Sequence, residues 1–153
     1  MGNIWREKLA NFFEELMIIS GSREEAIETF DNFCDIVVEP AFEALAEELK
    51  KYKIKSKIKK AIGKSMAFQI NFAKSNIDNF QYVILLNRKS IELNLILKIT
   101  GRKTKKNRIE EREEAFLEKV EPSSLKELEK EVLIQDIIDH YRNFRFEALT
   151  EFE

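Results

Sequence analysis

The chain predicts a two-layer α+β domain, because its apolar residues change period twice. They recur every three or four positions as far as Tyr52, at every second position from Ile54 to Ile99, and every three or four again from Leu125. Helices, then strands, then helices on a chain of 153 residues fit one domain over 1–153 with helices packed on one face of a sheet. The expected order is α-α-β-β-β-β-α-α.

The first helix rests on Ile4, Leu9, Phe12, Phe13, Leu16 and Ile19. Ser20-Gly21-Ser22 then reads as a stop and a new start, with Gly21 as the left-handed cap, Ser22 as N-cap and Glu25 closing a capping box. Ala26, Phe30, Phe33, Val37, Ala41, Leu45 and Leu49 stripe a second helix. Pro40 falls within it and removes one backbone donor, so either a kink or a fresh helix start belongs there. Beyond Tyr52, Lys53, Lys55, Lys57 and Lys59 alternate with Ile54, Ser56 and Ile58. Three further alternating runs place Met66, Phe68, Ile70 and Phe72, then Phe80, Tyr82, Ile84 and Leu86, then Ile91, Leu93, Leu95, Leu97 and Ile99 inward. With turn chemistry at KSNIDN and NRKS, they predict a four-stranded antiparallel meander with one buried face. A charged stretch then leads into a short helix around Glu110–Val120. Pro122 interrupts, Ser124 and Glu127 form another capping box, and Leu125, Leu128, Val132, Ile134, Ile137, Ile138, Tyr141 and Phe144 stripe a long terminal helix. The expected core holds Phe12, Phe30, Val37, Leu45, Phe68, Ile70, Tyr82, Ile84, Leu93, Leu95, Ile134 and Tyr141.

Net charge is only −2, but its distribution is uneven: residues 1–49 carry −9, residues 50–108 carry +15 and residues 109–153 carry −8. In the strand register above, Lys53, Lys55, Lys57, Lys59 and Lys98 lie on the sheet face away from the helices. Val83, Leu85 and Ile96 make a small apolar patch there, and Arg102, Lys103, Lys105, Lys106 and Arg108 follow from a loop. Cations around an apolar patch suit an acidic protein partner. The same cations suit nucleic acid as the alternative, because a phosphate backbone is bound by releasing its counterions. That face lacks the aromatic platform on which single-strand RNA binders stack bases, which ranks protein first. Lysines on an edge strand also protect against edge-to-edge aggregation, an explanation that requires no partner.

Chemistry-bearing residues are few. Cys34 sits on the apolar stripe beside Phe30, Phe33 and Val37, as a buried inert thiol does. His140 follows Asp136 by one helical turn, on the side opposite Ile134, Ile137 and Tyr141, so both should be solvated. One cysteine and one histidine leave no multi-cysteine zinc cluster, and phosphate loops, GxSxG and HExxH are missing. No cofactor or metal is expected, and an enzyme of unassigned chemistry ranks third. The residues MGNIWREK lack a secretory pattern and no membrane contact is expected, which makes the cytoplasm the default location. If a homodimer forms, the terminal helices should meet through Trp5, Phe144, Phe146 and Phe152, since sheet against sheet would oppose lysine rows. In architecture alone, helix, four-strand meander, helices is similar to ubiquitin-conjugating and RWD-type domains. The chain departs from the catalytic members, having no cysteine after the fourth strand and no His-Pro-Asn segment.

Overall fold

The computed structural model describes residues 4–71, 80–87, 93–101, 110–118 and 128–150. Phe72, the KSNIDN turn, Ile91, the cations from Arg102 to Arg108, the Pro122–Ser124–Glu127 box, Leu125 and Phe152 lie outside the described residues, as does the turn at 88–90. Helix α1 spans Ile4–Phe33, a π-helical turn covers Cys34–Val38, and α2 spans Glu39–Lys50. The sheet follows as β1 Ser56–Ala61, β2 Ser65–Ile70, β3 Phe80–Leu86, β4 Leu95–Gly101 and β5 Glu110–Ala115, and α3 spans Lys130–Thr150. The α+β class holds, with five strands where four were predicted.

The two expected N-terminal helices are one continuous rod from Ile4 to Lys50, about 70 Å long at 1.5 Å per residue. Gly21 does not stop it. A glycine inside a helix costs only about 1 kcal/mol relative to alanine, and beyond Ser20 and Ser22 the chain offers strong helix formers at residues 14–17 and 23–26. Phe12, placed in the core by periodicity, is therefore exposed, because the first turns of α1 run past the sheet rather than folding back. Pro40 does not break the rod. Its ring would crowd the carbonyl of Ile36 in a regular α-helix. The rod widens there into a π-turn, in which the Glu39 N–H donates to the Cys34 carbonyl five residues back.

The end of α2 is set by backbone geometry. Lys53 has φ 61°, its N–H donates to the Lys50 carbonyl, and the Ile54 N–H donates to the Leu49 carbonyl at 3.1 Å. This is a Schellman closure, and the accompanying apolar contact is supplied by Leu49 and Ile54, both half-buried against the core. The left-handed residue turns the chain into β1, which is why the apolar period changes at Ile54.

All five strands pair antiparallel in the order β1-β2-β3-β4-β5. Register places Ile58, Phe68, Tyr82 and Ile99 in one row toward the helices, beside the rows of Met66, Ile84 and Leu97 and of Ile70 and Phe80. Phe30, Phe33, Val37, Ala41, Phe42 and Leu45 of the rod and Leu133, Ile137 and Phe144 of α3 cover that face. Leu93, Leu95, Ile134 and Tyr141 pack at the margin of this core rather than inside it.

The segment predicted as a helix at Glu110–Val120 is instead strand β5, followed by a 3₁₀ turn at Phe116–Glu118. Glu, Arg and Ala favour helix intrinsically, but tertiary partners override that preference. Arg112 pairs with Glu147 of α3 at 2.7 Å, Glu114 lies 3.1 Å from His140, and Lys98 of β4 pairs with Glu111. Buried Phe116 then anchors the strand's end against Phe33, with ring centroids 6.1 Å apart.

Candidate docking groove and sheet face

On the outer face, strand alternation brings the predicted residues together much as expected. Leu85 pairs with Ile96 and Val83 with Lys98, so the three apolar residues adjoin in the middle of the sheet. Lys59 pairs with Ala67 and Lys57 with Gln69 on β1, at the sheet's edge. Lys55 precedes β1 and continues the ladder, accepting the Asn71 N–H at 2.9 Å on its carbonyl. Lys53 occupies the left-handed turn residue described above. Arg102, Lys103, Lys105, Lys106 and Arg108 lie outside the described residues.

The face is graded in charge across its width, where the sequence suggested an apolar patch edged only with cations. At the far edge, β5 turns Glu111 and Glu113 outward, and Lys98 is already paired with Glu111. The predicted docking cation Lys98 is thus neutralised within the sheet. By contrast, Lys53, Lys55, Lys57 and Lys59 make no ion pair with any described residue. The neighbouring Lys60 points the other way, toward the rod, and bonds to Asp35 and Glu39 across the π-turn, which holds its ammonium above the usual lysine range.

Beside those free lysines lies a feature that periodicity alone did not reveal. Between the end of α2 and the open edge of β1 there is a groove of about 630 Å³, lined by Ala46, Ile54 and Ile58 and bordered by Lys50, Lys53, Lys55 and Ser56. It exists because the Schellman turn swings β1 away from the last turn of α2. Ile54 and Ile58 then cover only part of the gap at a strand with no neighbour on its other side among the described residues. Lys50 is held by Glu47 at 2.9 Å, whereas Lys53 and Lys55 make no ion pair with any described residue. The signal in the sequence was the Lys-Ile alternation. What it could not tell was how far α2 stands from the strand.

At the opposite edge, polar groups converge between β3, β5 and α3. The Tyr82 hydroxyl donates to Asp136 at 2.5 Å, and His140 Nε2 lies 3.1 Å from Glu114 and 3.7 Å from Asp136. Asp136 and His140 therefore face the sheet, contrary to the solvated placement expected. The stripe of α3 that enters the core is Leu133, Ile137 and Phe144, so Asp136 and His140 flank it, while Val132 and Ile138 are exposed. Burial foremost, then the Asp136 charge, pushes the Tyr82 phenol far above its ordinary value, so it stays a donor at any physiological pH. An adjoining cavity of about 410 Å³ is bordered by Arg112, Glu114, His140 and Glu147, which pair with one another. The Tyr82–Asp136, Arg112–Glu147 and Glu114–His140 pairs fasten α3 to the sheet. Among the described residues, no group of three His, Cys, Asp or Glu is arranged to hold a metal ion, and no helix is long and apolar enough to cross a membrane. No family model, no curated protein and no solved structure matches the chain.

Proposed function

We propose that this is a non-enzymatic interaction protein that docks an acidic protein segment along β1. The observation carrying this reading is the apolar groove bordered by Lys53 and Lys55 beside β1, an edge strand among the described residues, with Lys57 and Lys59 on the outer face of that strand. A segment that adds to β1 as a sixth strand sends alternate side chains to opposite faces. One set enters the groove over Ala46, Ile54 and Ile58, and the other lies against Lys57 and Lys59 on the outer face. The best partner is therefore a segment alternating apolar and acidic residues, with main-chain hydrogen bonds supplying affinity and the lysines supplying orientation and on-rate.

Selection of peptides displayed in random sequence against the immobilised chain tests this reading. Alternating apolar–acidic sequences are the expected winners, and Lys57→Glu with Lys59→Glu should abolish their binding without changing the melting temperature. Recovery of sequences without acidic bias would refute the docking mode. The same lysines could serve a nucleic acid. Retarded migration of RNA or DNA at about 50 mM salt, lost on the same reversals and fading steeply by about 200 mM, would replace the protein partner with a phosphate backbone.

A further inference from the structure

The first 22 residues of α1, from Ile4 to Glu25, form an arm about 33 Å long, and burial begins only at Ala26. Along this arm Trp5, Leu9, Phe12, Leu16 and Ile19 are spaced 4, 3, 4 and 3 residues apart, the period of a coiled-coil seam. As far as Leu16 the seam is uncovered: Trp5 is 60%, Leu9 48%, Phe12 51% and Leu16 43% exposed, Phe13 beside it is 55% exposed, and Ile19 is half-buried. Apolar exposure on this scale, in one continuous stripe, marks an interaction surface.

We propose that the arm pairs antiparallel with the arm of a second copy of this chain. Charge along the arm selects both the occupant and the direction. Lys8 flanks the seam in the first turns and Glu15 flanks it on the same side two turns later, while Glu7 and Glu14 lie on the face away from it. In an antiparallel pair Leu9 stacks on Phe12 of the second copy and Trp5 on Leu16. That register sets Lys8 against Glu15 of the second copy on one flank and Arg6 against its Phe13 on the other, each twice by symmetry. A parallel pair sets Lys8 beside Phe13 and Glu15 beside Ser20 of the second copy, so it forms neither ion pair, and it also aligns the two helix dipoles unfavourably. A lipid surface suits the arm less well, because its five glutamates outnumber Arg6, Lys8 and Arg23 and membrane faces favour cations. Half-exposed rings and leucines leave roughly 500 Å² open per arm, so two arms bury about 1,000 Å², the lower end of a specific interface. Phe144, expected at such a contact, is buried inside its own chain and takes no part.

Sedimentation equilibrium of the full chain from about 1 to 100 µM tests the pairing. Wild type should be dimeric in this range, and Leu9→Glu with Phe12→Glu monomeric, with the melting of the body retained because both side chains lie on the free arm. Lys8→Glu alone and Glu15→Lys alone should each raise the dissociation constant about tenfold, since two symmetric pairs turn repulsive. The double variant Lys8→Glu/Glu15→Lys should return to within about threefold of wild type. A wild-type chain monomeric throughout, including one that instead pellets with phospholipid vesicles, overturns the proposal, and so does a double variant no tighter than the singles.

Discussion

Lys53 and Gly63 take left-handed backbone conformations at either end of β1, and only one of them is a glycine. Lys53, at φ 61°, closes the Schellman turn at a cost its Cβ imposes, so Lys53→Gly should stabilise the fold by about 0.5–1 kcal/mol, read as a higher denaturant midpoint. Gly63, at φ 71°, has its N–H bonded to Asp31 at 2.8 Å, and a Cβ there would meet Ile27 Cγ2 at 3.3 Å. Gly63→Ala should therefore cost about 1–2 kcal/mol, opposite in sign to the Lys53 change. The Cys34 thiol is pushed up to about 12 from 9.0, first by burial and then by the Asp31 charge. Its folded pKa exceeds its unfolded one, so the folded chain holds a proton that the unfolded chain releases. This contribution to stability is complete below pH 9 and is lost as pH rises from 9 to 12. A thiol-specific reagent at pH 8 should label Cys34 at the rate of global unfolding; rapid labelling would contradict the burial. Cys34 could be read from its neighbours in the sequence, whereas the left-handed Lys53 could not, because lysine carries no turn signal.

Elements whose side chains alternate between core and solvent were legible: β1 to β4 follow their apolar period, and the rod from Ala26 to Leu49 follows its stripe. Where the pattern was charged, it misled. β5 exists because Arg112, Glu114 and Glu111 find partners on α3 and β4, and such partners are invisible in a run of glutamates. Gly21 misled in the other direction, since a cap signal stops a helix only where the chain has a core to turn back upon. A Cβ at Gly21 would meet nothing within 4 Å, so Gly21→Ala should raise helicity in far-ultraviolet dichroism and stabilise the rod by about 0.5–1 kcal/mol. Should Gly21→Ala instead lower helicity, a continuous rod would be the wrong description of the arm. Between β3 and α3, Tyr82→Phe removes the donor to half-buried Asp136 and should destabilise by about 1–3 kcal/mol, measured by denaturant unfolding at pH 7. The loss should shrink as pH rises past 10, where the unfolded wild-type chain gives up its phenolic proton and the folded one keeps it.

Across the whole molecule, the lysines along β1 and the exposed apolar stripe of the α1 arm lie on different elements, so the two proposed contacts draw on different residues. The basic block predicted from the sequence lies partly along β1, and the acidic blocks lie on the rod and on β5 and α3. Such a layout also permits a head-to-tail contact between the lysine edge of one copy and the glutamate edge of another, which would close into a ring or extend as a filament. Salt separates these modes. Surface charge contacts are screened over about 10 Å at 0.1 M salt and about 3 Å at 1 M, while apolar burial is not weakened by screening. An arm-to-arm dimer rests mainly on Trp5, Leu9, Phe12 and Leu16, with the Lys8–Glu15 pairs setting direction more than strength. Its dissociation constant should therefore change no more than severalfold between about 0.1 and 1 M salt. Docking of an acidic segment along β1 draws on Lys53, Lys55, Lys57 and Lys59, and its affinity should fall at least tenfold over the same interval, chiefly through a slower on-rate. Light scattering and peptide titration on one preparation give both curves. A chain that dissociates as salt rises would instead be assembled by its oppositely charged sheet edges, with the apolar arm left uncovered.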